Sequence, residues 1–134
     1  MGQAEDRSVS VSVPPRAEFL ALLRTVTGGV ASRMRLPLDA IDDLRLAVDE
    51  AVALLLSKDR TATRVEMRLE PDDVELRATV GTDSPVEPWP PHGFETTLAW
   101  QVISGLTDDA SIARSERGTP TITIVKRTID PSPA

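Results

Sequence analysis

Two stretches of alternating apolar and polar residues, 64–70 and 74–80, are separated by only three residues, Pro71, Asp72 and Asp73. Alternation with a period of two is typical of a strand that buries one face. A connection this short joins antiparallel strands, because parallel strands need a crossover of about a dozen residues or more. The pair therefore predicts a β-hairpin and excludes an all-parallel sheet.

The remaining patterns predict three further strands and three helices. Alternation over 8–13 and over 121–126 predicts two strands, and residues 110–113 are a weaker strand candidate. Helical spacing predicts one helix that begins near Arg16, a second over 41–56 that is N-capped by Asp39 and ends near Lys58, and a third over 96–106. The predicted core stripe of the first helix consists of Phe19, Leu22, Leu23, Val26 and Val30.

The order of these elements, β-α-α-β-β-α-β-β, constrains the fold. Hairpin-connected strands followed or interrupted by helices favour an α+β fold, a two-layer sandwich in which three helices cover one face of a mostly antiparallel sheet. The chain has 134 residues, the size of one domain. We assign that domain to residues 7–128 and expect flexible termini at 1–6 and 129–134.

Composition excludes several classes of function. The chain has no cysteine and a single histidine, His92, so disulfides, thiol catalysis and Cys- or His-rich metal sites are ruled out. A net charge of −6 disfavours nucleic acid, which needs a basic surface, and suits a protein partner better. With no apolar run long enough to cross a membrane and no signal peptide, we expect a cytoplasmic protein without a membrane partner.

Four sequence segments resemble one family. The stretches 13–19 (VPPRAEF), 23–24 (LR), 29–34 (GVASRM) and 42–51 (DDLRLAVDEA) are similar to anti-sigma factors of the serine-kinase type, the short form of the GHKL (histidine-kinase-like) ATPase fold. The likeness to the sigma-B and sigma-F anti-sigma factors covers residues 9–127. It implies a homodimer that sequesters an alternative sigma factor and is released by an anti-anti-sigma antagonist of the STAS type.

The family resemblance also implies an ATP–Mg site, and only one of its features is retained. The family's N box is Glu-x-x-x-Asn, in which the glutamate is the general base and the asparagine binds magnesium. Glu50 matches the base, whereas Leu54 takes the place of the asparagine. Leucine cannot ligate a metal ion.

The other nucleotide motifs are altered as well. Thr82 stands where the family's adenine-binding aspartate is expected, with Ser84 at a following glycine, and Asp83 could substitute only through a one-residue shift. Thr97 and Ala99 replace the glycines of the last phosphate-binding box, where close backbone approach requires glycine. We therefore expect weak or absent ATP–Mg binding, with an active protein-serine kinase as the alternative.

Glu50 lies on a second apolar face of the second helix, together with Leu46, Ala47, Ala53 and Leu54. One interpretation is a cleft whose glutamate has outlived its catalytic role. The other is a solvated glutamate on a helix that is crossed by an ordinary packing partner. The pattern of residues leaves both open.

The first helix carries a candidate partner face of small residues around one arginine. It comprises Ala17, Ala21, Arg24, Gly28 and Ala31, and is bordered by Leu20 and Arg35. An arginine within a flat patch is typical of an interface anchor. The family resemblance implies that Arg24 contacts the sigma factor or its antagonist. The alternative is an exposed helix face with an ordinary surface charge, and a related regulator with a non-sigma partner is a further possibility.

The proline-rich segment 84–93 falls where the family carries its ATP lid. Prolines restrict the backbone, so we favour a rigid connector over a mobile lid. We expect Trp89 and Trp100 to be packing residues and not ligand-stacking ones.

Overall fold

The computed structural model describes residues 6–58 and 60–128. Its elements follow the predicted order, with one short 3₁₀ helix, Phe94–Thr96, in addition. The helices are α1 (Ala17–Ala31), α2 (Leu38–Lys58) and α3 (Leu98–Leu106), and the strands are β1 (Val9–Val13), β2 (Val65–Pro71), β3 (Glu75–Thr82), β4 (Asp109–Arg114) and β5 (Pro120–Arg127).

The five strands form one antiparallel sheet in the order β1-β2-β3-β5-β4. The predicted hairpin is β2–β3, in which Val65 is opposite Thr82 and Pro71 is opposite Leu76. Asp72 closes its turn by accepting hydrogen bonds from the backbone N–H groups of Val74 (2.8 Å) and Glu75 (2.9 Å). The antiparallel prediction is confirmed.

The three helices pack on one face of the sheet, which confirms the two-layer α+β sandwich. α1 packs on β1 and β2, α2 on β3 and β5, and α3 next to β4. Alternate strand residues face the helices, and the fully buried ones include Met67, Leu69, Leu76, Val80, Ile122 and Ile124. The opposite face of the sheet carries polar side chains such as Ser12, Glu66 and Arg68.

α2 is the central helix and runs without interruption through Glu50, as predicted. Its buried stripe consists of apolar residues that recur at helical spacing in the sequence: Ile41, Leu44, Val48, Ala51, Val52 and Leu55. The assignment of Asp39 as N-cap is wrong, since the helix already begins at Leu38 and Pro37 O accepts the hydrogen bond of Ile41 N (3.1 Å). Asp39 instead lies in the first turn, where its charge favours the helix dipole.

The predicted core stripe of α1 is displaced by roughly one residue. Phe19 (37% exposed) and Leu22 (46%) are among the exposed large apolar residues, whereas Leu23 and Thr27 are fully buried. Thr27 tolerates burial because its hydroxyl donates to Leu23 O (2.7 Å) and contacts Met67 Sδ (3.3 Å). A side chain that satisfies its own polar group can occupy the core, so hydrophobicity alone predicted the stripe correctly at Leu23 but not at Phe19 and Leu22.

The predicted flexible termini lie outside the described residues except for Asp6, whose carboxylate accepts a hydrogen bond from Ser8 N (2.9 Å). Among the helices of the described segments, none is long and apolar enough to cross a lipid bilayer.

Candidate functional site

Arg24 lies on the exposed surface of α1 but is not isolated. Its Nε is 3.0 Å from Oδ2 of Asp49 on α2, with 54% of the arginine and 33% of the aspartate side chain exposed. An ion pair at this exposure contributes about 0–1 kcal/mol to stability. Its main consequence is geometric, because it holds the guanidinium at the seam between α1 and α2 while leaving much of it accessible.

Gly28 was predicted to be part of the same exposed face, and this is wrong. The residue is buried, and a Cβ added to it would lie 2.5 Å from both Nε and Nη2 of Arg45. The Arg45 guanidinium therefore lies directly over the α1 backbone at this position. Its Nη1 is 3.5 Å from Asp42, and its buried Nε makes no hydrogen bond within the described part of the chain.

Ala31 is a second correction, since it is fully buried. Leu20 is half-buried, Ala17 and Ala21 are exposed with Arg24, and the bordering Arg35 is exposed beyond the end of α1. The exposed part of the candidate face is therefore limited to the N-terminal half of α1. The cause is the rotated core stripe, which turns the later small residues toward α2 and the sheet.

Asp49 and Arg45 are the residues that sequence reasoning missed. Both belong to α2, at positions that approach α1 only after the two helices pack together. Helical spacing offers a weak signal. Asp49 is about 100° around the helix from the buried Val48, at the border of the core stripe, where a charge can reach a neighbouring helix.

The second apolar face of α2 is buried only in part. Ala47 is fully buried and Leu54 is 8% exposed, but Leu46 is 49% exposed and Ala53 also faces solvent. Glu50 is half-buried between these two groups. Among the described residues it makes no hydrogen bond or ion pair. Burial on this face is therefore limited to Ala47 and Leu54, and Leu46 and Ala53 remain exposed.

The carboxylate of Asp83 is hydrogen-bonded to the loop before β2. Its carboxylate accepts hydrogen bonds from Thr63 N (2.9 Å), Arg64 N (3.1 Å) and the Thr63 hydroxyl. Desolvation raises the pKa of this carboxyl, but the hydrogen bonds from Thr63 and Arg64 outweigh it and leave the pKa below its usual value. A nucleotide would have to displace these contacts.

The neighbouring positions are also used internally. Thr82 is 2% exposed, and its hydroxyl is buried without a hydrogen-bond partner in the described structure. Ser84 Oγ lies 3.1 Å from Thr61 Oγ1 and so connects the end of β3 to the loop that precedes β2.

The start of α3 is closed by its own side-chain cap. Thr97 is the N-cap, and its Oγ1 accepts a hydrogen bond from Trp100 N (3.2 Å). The same hydroxyl donates to Phe94 O (2.7 Å), which fixes the cap in place. Ala99 is half-buried and follows Leu98, which is 76% exposed. A helix-start N–H that would face a phosphate in a nucleotide site is thus already occupied.

The proline-rich segment is fastened to the edge strand β4. Trp89 is 4% exposed, and its Nε1 donates to Ala113 O (2.8 Å). Glu87 forms an ion pair with Arg114 at 2.9 Å. Trp100 packs against the core and contacts Phe94 edge-to-face, with ring centroids 5.1 Å apart. The packing roles predicted for both tryptophans are confirmed.

No cluster of three or more potential metal ligands is present within residues 6–58 and 60–128. At the N box, the chain has one half-buried carboxylate, Glu50, and a buried leucine at position 54.

A two-layer sandwich that presents an arginine on its first helix is the arrangement implied by the resemblance to serine-kinase-type anti-sigma factors. No protein-family model matches the chain. The anti-sigma-F factor RsbW of Mycobacterium tuberculosis strain H37Rv is 34% identical over 107 residues, which cover 77% of this chain and 60% of that protein. The serine-protein kinases RsbW of Bacillus cereus strain Q1 and Bacillus anthracis strain A0248 are each 28% identical over 129 residues, covering 81% of this chain and 78% of theirs.

The chain is thus a relative of the RsbW-type anti-sigma factors, and the resemblance found in the sequence is confirmed. It spans less than two thirds of the length of the mycobacterial relative.

Proposed function

We propose that this protein is an anti-sigma factor that sequesters an alternative sigma factor through the exposed N-terminal half of α1. Its relatives named as an anti-sigma-F factor support the class of partner. The choice of surface rests on the geometry of Arg24. Its Nε is 3.0 Å from Oδ2 of Asp49, which orients the guanidinium, and 54% of its side chain remains exposed. A pre-oriented arginine can bind a carboxylate of the partner with little further loss of conformational freedom.

The complex is released, in this proposal, by an anti-anti-sigma protein of the STAS type that competes for the same helix. The site of action would be the cytoplasm, where sigma factors work. The protein would act by steric occlusion, so its binding surface and not a chemical step determines its activity.

ATP–Mg is not required in this proposal, because the residues present do not fit it. Leu54 provides no oxygen ligand for magnesium, and Asp83 is already bound to the loop before β2. Thr97 occupies the N–H group of Trp100 at the start of α3. Calorimetry should give a Kd for ATP–Mg no tighter than about 1 mM, or about −4 kcal/mol.

A protein-serine kinase acting on the antagonist is the second candidate function. It is favoured by the Bacillus relatives, which are named serine-protein kinases, and by Glu50, which has no partner in the described structure. Incubation of the purified protein with a STAS-type antagonist and labelled ATP distinguishes the two. Phosphate transfer that is lost in Glu50→Gln would establish the kinase, whereas no transfer leaves sequestration as the activity.

The decisive test of sequestration is binding and transcription. Tagged protein from its native host should co-purify with a sigma factor, and the purified protein should inhibit transcription by RNA polymerase carrying that sigma factor. Arg24→Glu should weaken the binding about 30-fold, the equivalent of about 2 kcal/mol at a central anchor. Arg117→Glu is the matched control, since Arg117 is 77% exposed on the remote β4–β5 turn.

The two variants separate failure of the surface from failure of the function. Equal binding by Arg24→Glu and the wild-type protein would refute the α1 surface while leaving an anti-sigma function intact. Failure of the wild-type protein to bind or inhibit any sigma factor would refute the function itself. Thermal melting of both variants controls for misfolding.

We also propose that the protein is a homodimer. Phe19 and Leu22 are exposed on the side of α1 roughly opposite Gly28, whose contact with Arg45 faces α2. β1, the strand beneath α1, is an edge strand of the sheet. Pairing of two such edges would cover the apolar side chains and satisfy the free backbone groups of β1.

A further inference from the structure

A cavity of about 1080 Å³ opens at the end of the sandwich that is remote from the Asp83 and Thr97 positions. Its walls come from the C-terminal end of α1, the start of β1, the β2–β3 turn and the end of β5. We call it the arginine cleft, after the four arginines that line it, Arg7, Arg33, Arg35 and Arg127. No part of the proposed sigma-factor surface lines this cleft.

The arginine cleft is cationic in a chain of net charge −6, since only two aspartates line it beside the four arginines. Both aspartates are engaged. Asp72 Oδ1 accepts the two N–H groups of the hairpin turn, at 2.8 and 2.9 Å, and Asp73 forms an ion pair with Arg7 at 3.5 Å. The cleft therefore has more positive charge than its own acidic groups neutralise.

Two of the four guanidinium groups have no partner within the described residues. Arg33 donates to Gly29 O at the end of α1, and Arg7 is paired with Asp73. The side chains of Arg35 and Arg127, in contrast, make no hydrogen bond or ion pair there, although both residues are exposed at the cleft. These two groups are available to bind an anion.

The floor of the arginine cleft is apolar. Val9, Val30 and Met34 are half-buried and pack against the core, and Val74 is 63% exposed at the rim. A cavity of about 1080 Å³ is at or above the upper end of small-molecule pockets, which span roughly 300–1,000 Å³. Its size and mixed lining fit an extended ligand that carries both carboxylates and apolar side chains.

We propose that the arginine cleft binds an extended acidic segment of a protein partner, in which apolar side chains separate the carboxylates. The planar guanidinium groups of Arg35 and Arg127 would each bind a carboxylate in a two-point contact. The apolar side chains of the segment would cover Val74 and Met34. Arg24 lies seven residues, about 10 Å of helix, before Ala31 at the end of α1, and Arg33 lies beyond that end, so this is a second contact, separate from the sigma-factor surface.

The test uses two labelled synthetic peptides and the full-length protein. One peptide of eight residues alternates glutamate with leucine, and the other replaces every glutamate with glutamine. Fluorescence anisotropy should show at least a tenfold preference for the acidic peptide, equivalent to about 1.4 kcal/mol. The preference should diminish as the salt concentration rises, because exposed charges are screened.

Two double variants of equal charge change locate the site. Arg35→Glu with Arg127→Glu should weaken binding of the acidic peptide at least tenfold. Arg16→Glu with Arg117→Glu changes the net charge by the same amount at positions outside the cleft, and should leave the affinity within about twofold of the wild type, as expected for distant sites. Melting curves of both double variants confirm that they are folded.

Several outcomes would overturn the proposal. Equal binding of the two peptides, or no binding to the wild-type protein, would rule out acidic recognition. An equal loss in both double variants would mean that general charge and not the cleft attracts the peptide. Full competition by millimolar inorganic phosphate would assign the cleft to a small anion and not to a protein segment.

Discussion

The contact between Gly28 and Arg45 predicts that the effect of Gly28→Ala on the free energy of unfolding depends on whether Arg45 is present. A methyl group at position 28 would lie 2.5 Å from Nε and Nη2 of Arg45 and 2.8 Å from Cζ. These distances are well below van der Waals contact, so Gly28→Ala must displace the guanidinium. The displaced group is the end of a flexible side chain, and the core need not rearrange.

The magnitude follows from two opposing terms. Alanine in place of glycine inside a helix favours folding by about 1 kcal/mol. Displacement of Arg45 removes its packing over α1 and its 3.5 Å pair with Asp42, and an exposed pair of this kind is worth about 0–1 kcal/mol. We therefore expect Gly28→Ala to change the free energy of unfolding by less than about 0.5 kcal/mol, because the two terms nearly cancel.

The same substitution should stabilise the protein once Arg45 is removed. In an Arg45→Ala background the added methyl group meets no guanidinium, so the full helix-propensity gain of about 1 kcal/mol should appear. Urea unfolding of the wild type, both single variants and the double variant measures this coupling. Equal effects of Gly28→Ala in both backgrounds would refute the placement of Arg45 over Gly28.

The cycle also tests the corrected role of Gly28. A buried glycine that admits Arg45 should affect stability more than sigma-factor binding. Gly28→Leu adds bulk that a movement of Arg45 alone does not accommodate, and overpacking of this kind typically costs about 1–3 kcal/mol. If Gly28→Leu instead lost sigma-factor binding while its free energy of unfolding stayed unchanged, Gly28 would belong to the partner surface after all.

Three further predictions concern the loop contacts and the dimer. The pKa of Asp83 is lower in the folded than in the unfolded protein, so the carboxylate stabilises the fold above its unfolded pKa of about 3.9. This stabilisation is lost as pH falls through the folded pKa. In denaturant titrations, Asp83→Asn should therefore be less stable than the wild type at pH 7 and equally stable at low pH. Trp89→Phe removes the hydrogen bond to Ala113 O and should cost about 1 kcal/mol or more in urea unfolding, and an unchanged midpoint would contradict the contact. Light scattering should give twice the chain mass of 14.5 kDa for the wild type and for the control Leu98→Glu but a monomer for Leu22→Glu, and a dimeric Leu22→Glu would exclude the proposed interface.

The sheet and the central helix were predictable because their signals are local. Strict alternation over β2 and β3 places every second residue on one face, and a three-residue turn leaves no other connection than a hairpin. The six residues of the α2 stripe lie at helical spacing, and all of them are buried. Patterns of this kind depend on neighbours in the sequence and need no knowledge of the tertiary contacts.

The orientation of α1 could not be predicted in the same way. Its buried face contains Thr27 and Gly28, which have little apolar side-chain surface. Its exposed side contains the strongly apolar Phe19 and Leu22. Thr27 is accepted in the core because Leu23 O binds its hydroxyl, and Gly28 because Arg45 needs the space. The second reason involves a residue seventeen positions away, and no pattern within α1 reveals it.

The positions that correspond to the family's nucleotide site and lid make internal hydrogen bonds in this structure. Asp83 anchors the loop before β2, Thr97 caps α3, and Trp89 fastens the proline-rich segment to β4. Each of these hydrogen bonds uses a group that would otherwise contact a ligand or belong to a segment closing over it. Nucleotide binding would have to break such hydrogen bonds, which would cost free energy. We therefore expect release of the sigma factor to depend on the concentration and affinity of the competing antagonist, and not on a phosphorylation step by this chain.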